Sequence, residues 1–188
     1  MLATPFVTHQ TLRDRIREGM TMNRAVDLLA QIAEIMISVH RRRIAHLDLK
    51  PENVLVTDRN RVHLIDWGVS QTFSAASRDV LDLSTRVVGT PGYMAPEQAL
   101  GMRCDAATDV FAIGAMLCEI LSGSPAYRGE HVARLARSAD LHDARQRLTH
   151  ASVDSNLAAL AWECLQVRRR DRIGDAARLA RTLRRNVS

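Results

Sequence analysis

Lysine, aromatic side chains and long apolar runs are all scarce in this sequence. Lys50 is the only lysine among 26 basic residues, and aromatic residues make up 4% of the 188 residues. A membrane-spanning helix needs about 20 consecutive apolar residues, which no segment provides, and the first residues lack the basic and apolar regions of a signal peptide. We therefore expect no membrane span and a cytoplasmic location.

Cysteine is also scarce, and its spacing excludes two classes of small protein. Cys104, Cys118 and Cys164 are odd in number and lie far apart in the chain. This pattern fits neither a disulfide framework nor a zinc site. We expect three free thiols in a reducing compartment.

The chain is basic, with a net charge of +5, and a basic balance can indicate a nucleic-acid partner. The densest arginine clusters, residues 41–43 and 168–170, lie near the ends of predicted helices, where the helix dipole favours positive charge. No nucleic-acid-binding motif accompanies them. We therefore predict solvated helix ends and no nucleic-acid partner.

The periodicity of apolar residues predicts one mostly helical domain with a small β-hairpin. In residues 22–42 apolar side chains recur every three or four positions, whereas 108–122 is apolar almost all round, which is typical of a central buried helix. Two short strand-like runs, 54–56 and 62–65, flank a turn. Further predicted elements are helices at 11–18, 128–138, 155–166 and 174–186 and a long loop at 66–94.

Polar side chains lie on both sides of this hairpin. Asp48, Lys50 and Asn53 precede its first strand, and Asp66 follows its second. Because a hairpin brings its two ends together, we expect these four side chains to meet, and their oxygens and ammonium group suit a phosphate with bound Mg²⁺. The single lysine supports this site, since a compact ammonium and a planar guanidinium are not equivalent at a phosphate.

Three motifs give these residues a family resemblance. Residues 46–53 read His-Leu-Asp-Leu-Lys-Pro-Glu-Asn, residues 66–68 read Asp-Trp-Gly, and residues 95–97 read Ala-Pro-Glu. In this order they resemble the catalytic loop and the two ends of the activation segment of protein kinases. The chain thus resembles the eukaryotic-like (Hanks-type) serine/threonine protein kinases of bacteria, and Lys50 and Thr90 favour the serine/threonine class over the tyrosine class.

The resemblance covers residues 9–182 and implies a protein-kinase-like C-terminal lobe: mainly α with a small β-hairpin, a truncated form of an α+β family fold. Residues 1–188 would form a single partial kinase domain, with the catalytic loop at 46–53, the activation segment at 66–97 and the central helix at 108–122. The implied reaction is ATP-dependent phosphoryl transfer to serine or threonine of protein substrates, with ATP and Mg²⁺ as cofactors.

The resemblance also implies residue roles at the reaction centre. Asp48 would accept or orient the proton of the substrate hydroxyl, Lys50 would neutralise the transferring phosphate, and Thr90 would contact Asp48. Asn53 and Asp66 would bind Mg²⁺. These roles predict that substitution of Asp48 removes most of the activity.

Other implied roles are structural or lie at the edge of the nucleotide site. Leu55 would pack under the adenine ring, and Trp67, in place of the usual phenylalanine, is expected to pack near His46. Arg172 occupies the position of the late arginine that pairs with the Ala-Pro-Glu glutamate, here Glu97. Gly68 completes the Asp-Trp-Gly motif, and Asp109 and Gly114 match a motif of the central helix.

Two departures from the family pattern carry further expectations. Leu47 stands where many kinases have an arginine that grips a phosphorylated activation loop, so we predict little control by phosphorylation at Ser84 or Thr85. The family also places a nucleotide-binding lobe with a glycine-rich loop before the long helix, yet no two glycines here are two residues apart. We expect that lobe to be absent, so that activity of this chain alone is doubtful.

Several alternatives stay open at this point. The chain can be a fragment or a misplaced start of a kinase, a catalytically inactive half-kinase that acts as a protein-binding scaffold, or a basic interaction protein. A small-molecule phosphotransferase of the aminoglycoside-kinase type is a further alternative, although residues 89–97 favour a protein substrate. The missing lobe, or a partner in its place, would cover Leu55 and Trp67.

Overall fold

A computed structural model of the chain describes residues 9–73, 89–150 and 152–187. Its helices are α1 (Leu12–Arg17), α2 (Met22–Arg41), α3 (Pro96–Ala99), α4 (Ala106–Ser122), α5 (Val132–Ser138), α6 (His142–Leu148), α7 (Ser155–Cys164) and α8 (Ala176–Arg185). Its strands are β1 (His9–Thr11), β2 (Ile44–Ala45), β3 (Val54–Thr57), β4 (Val62–Leu64) and β5 (Gln71–Thr72), and short 3₁₀ turns cover Pro51–Asn53 and Arg169–Asp171.

Helix α4 is the central element, and its sequence sets both of its ends. Asp105 caps the N-terminus in a capping box with Thr108, which satisfies main-chain amides that have no partner within the helix. Every residue from Thr108 to Glu119 is buried, as the apolar run predicts. Gly123 ends the helix in the left-handed conformation, with φ of 77°, which glycine adopts without steric cost.

Helix α7 lies against α4 at a position where only glycine fits. A methyl group at Gly114 would lie 2.3 Å from Cβ of Cys164, far inside van der Waals contact. The absence of a side chain at Gly114 therefore allows the two helices to approach closely. Gly114 is buried within α4, and Cys164 belongs to the main apolar core of the described residues.

Helices α2 and α8 pack together through an apolar core and an ionic edge. Leu29 and Ile32 of α2 and Leu179 and Leu183 of α8 are fully buried or nearly so. At the edge, Arg184 binds Asp27 and Glu34, with 2.8 Å from its Nε to Oε1 of Glu34. The amphipathic pattern of residues 22–42 thus predicts the buried face of α2 correctly.

The strands form two small antiparallel sheets. In the first, β3 lies between β1 and β4, with Val56 opposite Val62. The tight turn between β3 and β4 contains Asn60 with φ of 56°, a conformation that asparagine tolerates better than most residues. In the second sheet β2 pairs with β5, with Ile44 opposite Thr72.

The structure confirms the hairpin and the helical periodicities, and it adds elements that the sequence reading omits. The predicted hairpin is two strands of a three-stranded sheet, and the predicted loop at 66–94 contains β5 and ends close to α3. Helix α6 was not predicted, and α5 begins at Val132 instead of residue 128. Residues 74–88 of the loop lie outside the described residues.

Over the described ranges, no helix combines the length and the apolar character that crossing a membrane requires.

Candidate active site

Helix α4 anchors the 46–53 loop through Asp109, which is 1% exposed. Its two carboxylate oxygens accept hydrogen bonds from the main-chain amides of His46 and Leu47, each at 3.0 Å. Its Oδ2 also lies 2.8 Å from Nε2 of His40 at the end of α2. A buried carboxylate requires such partners, so Asp109 fixes the start of the loop to two core helices.

His46 connects the loop to the segment after β4. Its Nδ1 accepts from the amide of Asp48 at 3.3 Å, and its Nε2 lies 3.1 Å from the carbonyl oxygen of Ile65. This pattern assigns the ring proton to Nε2 as the donor to Ile65. The ring of Trp67 packs on His46 with 4.4 Å between the centroids, as the sequence predicts.

The side chain of Asp48 is the centre of a hydrogen-bonded cluster. Its Oδ2 lies 2.8 Å from Nζ of Lys50, and its Oδ1 accepts from the hydroxyl of Thr90 at 3.0 Å. Lys50 also donates to the hydroxyl oxygen of Thr90 at 2.8 Å. Asn53 donates from Nδ2 to the carbonyl oxygen and to Oδ2 of Asp48, at 2.8 and 3.0 Å. Four of the predicted site residues thus meet at one carboxylate.

Asp66, the fifth residue predicted at this site, is connected to the cluster through the main chain of Ile65 and not through its own side chain. Its neighbour Ile65 donates its amide to the carbonyl oxygen of Asn53 at 3.0 Å and accepts from His46. Asp66 is exposed and adopts a left-handed conformation with φ of 60°, which is uncommon for a residue other than glycine. No hydrogen bond joins its carboxylate to Asp48, Lys50 or Asn53 within the described residues.

The donor set at this edge fits a Mg²⁺–phosphate ligand. Asn53 uses both hydrogens of its amide nitrogen on Asp48, so its amide oxygen is the atom that can bind a cation. Together with the exposed carboxylate of Asp66 it offers two hard oxygens, and Mg²⁺ usually takes one or two protein ligands beside phosphate and water. Across the described part of the chain, no group of three His, Cys, Asp or Glu residues could hold a metal ion.

The remaining predicted residues lie outside this cluster. Leu55 lies on the middle strand β3, opposite His63 of β4, and Gly68 follows Trp67 on the exposed segment. Glu97 and Arg172 form a buried, bidentate ion pair with two contacts of 2.7 Å. Such a pair ties the end of the 66–97 segment to the segment before α8.

Arg13 is a residue near the site that the sequence reading missed. From the first turn of α1 it binds Glu52 of the 3₁₀ turn at 2.8 Å, Glu119 of α4 at 2.5 Å, and the hydroxyl of Tyr93. Tyr93 in turn donates to Glu119 at 2.7 Å. Burial and this bond to Glu119 raise the pKa of Tyr93, so the phenol keeps its proton at neutral pH.

The four partners of this network are separated by up to 106 residues in the sequence, and no motif or periodicity connects them. The network joins α1, the 46–53 loop, the segment before Ala95 and α4. It therefore ties the loop that carries Asp48 to α1 and α4.

A carboxylate held by a lysine, a threonine and an asparagine, with the exposed carboxylate of Asp66 on a neighbouring segment, suits a site of the phosphotransferase class. The family comparison agrees with this class. The model of the protein kinase domain matches residues 1–183, and the chain belongs to the protein kinase family.

Several relatives with assigned names are bacterial. The chain is 34% identical to the serine/threonine-protein kinase PknB of Mycobacterium tuberculosis over 133 residues, which is 70% of this chain and 21% of the relative. It is 30% identical to PknB of Mycolicibacterium smegmatis over 166 residues, 85% of this chain and 26% of the relative. For PknD of M. tuberculosis the identity is 39% over 116 residues, 62% of this chain and 17% of the relative. The chain thus spans about a quarter or less of these relatives.

Proposed function

We propose that this chain carries the catalytic centre of a serine/threonine protein kinase, which transfers the γ-phosphoryl group of ATP to hydroxyl groups of proteins. The observation that carries the proposal is the position of Asp48. One carboxylate contacts the only lysine of the chain, the threonine that precedes the Ala-Pro-Glu segment and the amide of Asn53. Phosphoryl transfer depends mainly on such positioning and charge neutralisation.

The contacts of the side chains support a role for each of them. Asp48 has one oxygen near Thr90 and the other near Lys50, so a substrate hydroxyl that replaces part of this bonding would find its proton acceptor in place. Lys50 would offset negative charge on the transferred group, and Asn53 and Asp66 would hold Mg²⁺. Bound Mg·ATP would supply the phosphoryl group.

A protein substrate is favoured over a small molecule by the segment from Gly89 to Glu97. This segment packs onto the catalytic loop through Thr90 and is fixed at its end by the Glu97–Arg172 pair. It resembles the part of protein kinases that receives the substrate. The named relatives are serine/threonine-protein kinases, which supports the same substrate class.

We also propose that the described residues form the C-terminal lobe of the kinase domain, and that a nucleotide-binding lobe or a partner covers its site edge. Ile65 and Trp67 are 38% and 37% exposed beside the Asp48 cluster. Large apolar side chains that are exposed together mark a surface that another structure covers. ATP bound at this edge would lie between the two parts.

The proposal is tested with the purified full-length protein. It is incubated with radiolabelled ATP, Mg²⁺ and myelin basic protein, and in parallel with an aminoglycoside instead of the protein. We expect label on serine or threonine of the protein, lost when EDTA removes Mg²⁺. Label on the aminoglycoside alone, or no transfer to either acceptor, would contradict the proposal.

A further inference from the structure

Leu47, the residue before Asp48, is held at both its amide and its carbonyl group. The amide of Leu47 donates to Oδ1 of Asp109 at 3.0 Å. The carbonyl oxygen of Leu47 accepts from Nε2 of Gln98 at 2.5 Å. This carbonyl belongs to the peptide bond between Leu47 and Asp48, so Gln98 fixes the peptide plane from which Asp48 extends.

The backbone at Leu47 needs this support. Its φ is 66°, in the left-handed region that a residue with a branched side chain rarely adopts, and such a conformation persists only where its surroundings hold it. Asp109 holds the amide and Gln98 holds the carbonyl. Gln98 is 7% exposed, so loss of its bond would leave the buried carbonyl without a replacement from bulk water.

Gly89 covers the bond between Gln98 and Leu47. A methyl group at Gly89 would lie 2.6 Å from Nε2 of Gln98 and 3.1 Å from the carbonyl oxygen of Leu47. Gly89 also has φ of 120°, which disfavours any side chain there. The glycine therefore lets the activation segment approach the loop closely enough to enclose this hydrogen bond.

The space beside this hydrogen bond is small. Leu47, Asp48, Thr90 and Gln98 line a cavity of about 10 Å³, which holds at most about one water molecule. The segment from Gly89 to Gln98 thus contacts the Asp48 region twice, at the carboxylate through Thr90 and at the preceding carbonyl through Gln98.

We propose that Gln98 is a positioning residue for Asp48. It transmits the placement of the activation segment to the catalytic loop through the carbonyl of Leu47. The expected effect of Gln98 on catalysis rests on the proposed function. The expected effect of Gln98 on the order of the loop does not depend on that function.

The test uses Gln98→Met in the full-length protein, because methionine keeps the length of the side chain and removes the donor. Gln146→Met is the matched control, since Gln146 is exposed on α6. Steady-state kinetics with Mg·ATP and myelin basic protein, hydrogen–deuterium exchange by mass spectrometry and thermal unfolding are compared. We expect kcat to fall by about 10- to 100-fold, as for a misplaced catalytic group, with KM for ATP unchanged.

Exchange should become faster in peptides that cover residues 46–53 and stay unchanged in those that cover α2. Gly89→Ala should give the same local pattern, because its methyl group displaces Nε2 of Gln98, and it serves if Gln98→Met does not fold. Wild-type kcat and wild-type exchange at 46–53 would overturn the inference, as would an equal rise of exchange in all helices with a lower melting temperature. An inactive wild-type protein would contradict the proposed function alone, and exchange at 46–53 would then decide the role of Gln98.

Discussion

The side chain of Leu47 lies in an apolar environment. It is buried in a small apolar cluster with Ala45 and Cys104, against which Val69 and Phe73 pack. Many kinases have an arginine at this position, whose guanidinium can bind a phosphate on the activation segment. A leucine in an apolar cluster offers no such partner.

At the residue scale we therefore predict that phosphorylation of the activation segment has little effect. Ser84 and Thr85 lie outside the described residues, so the prediction rests on Leu47. The double variant Ser84→Ala, Thr85→Ala should change the phosphorylation rate by less than about tenfold, because no arginine at position 47 grips a phosphate. Initial rates on myelin basic protein measure this, with Thr90→Ala as a variant that should lose activity. A loss of tenfold or more in the double variant would show that another residue binds the phosphate.

The catalytic residues are the part of the site that the sequence predicts best. Asp48, Lys50 and Asn53 lie within six residues of one another, and their motif fixes their order. The network of Arg13, Glu52, Tyr93 and Glu119 could not be predicted, because single polar residues far apart in the chain carry no periodic signal. Gln98 was missed for the same reason, since only the fold brings it to the carbonyl of Leu47.

At the element scale, the contact between α4 and α7 depends on the absence of one side chain. Gly114→Ala should destabilise the protein by about 1–3 kcal/mol, the usual cost of overpacking a core, because its methyl group would meet Cβ of Cys164. Urea unfolding followed by circular dichroism measures the change.

Gly174→Ala is the matched control for this prediction. No atom lies within 4 Å of the position that its methyl group would take, so its free energy of unfolding should stay close to that of the wild type. If Gly114→Ala were as stable as the control, the close approach of the two helices would not be what the glycine provides.

Some helices and strands could be predicted from the sequence and others could not, for physical reasons. The long or strongly apolar helices α2 and α4 were predicted within two residues at each end, because many side chains contribute to their patterns. Strands β2 and β5 have two residues each and follow no pattern of their own, since they form only by pairing with each other. Helix α6 is mostly polar, so its period of apolar residues is weak.

At the scale of the whole molecule, three buried thiols report on global unfolding. Cys104, Cys118 and Cys164 lie before α4, within α4 and within α7, and all three are buried. Burial raises the pKa of Cys104 to about 12, and it also raises the pKa values of Cys118 and Cys164. The thiolate is the reactive form, and at pH 8 these thiols are protonated in the folded protein.

We predict that the aromatic disulfide DTNB labels these thiols only when the protein unfolds. Labelling at pH 8 across a urea series should follow the loss of helical circular dichroism, because unfolding returns each thiol to its ordinary pKa and exposes it. Raising the pH from 8 to 9 without urea should not start labelling, because burial both shields the three thiols from the reagent and raises their pKa values. Rapid labelling of one thiol in the fully helical protein would show that its part of the core opens separately.

The central claim is that the carboxylate of Asp48 is the catalytic group of a kinase, and its most direct test is the rate of Asp48→Asn. This variant keeps the shape of the side chain and removes its ability to accept the substrate proton. The initial rate of phosphorylation by the full-length protein is compared with that of Asp140→Asn, the same change at an exposed position. We predict a fall of about 10² or more for Asp48→Asn, the usual effect of losing a positioned base, and a wild-type rate for the control. A near-normal rate in Asp48→Asn would contradict the account.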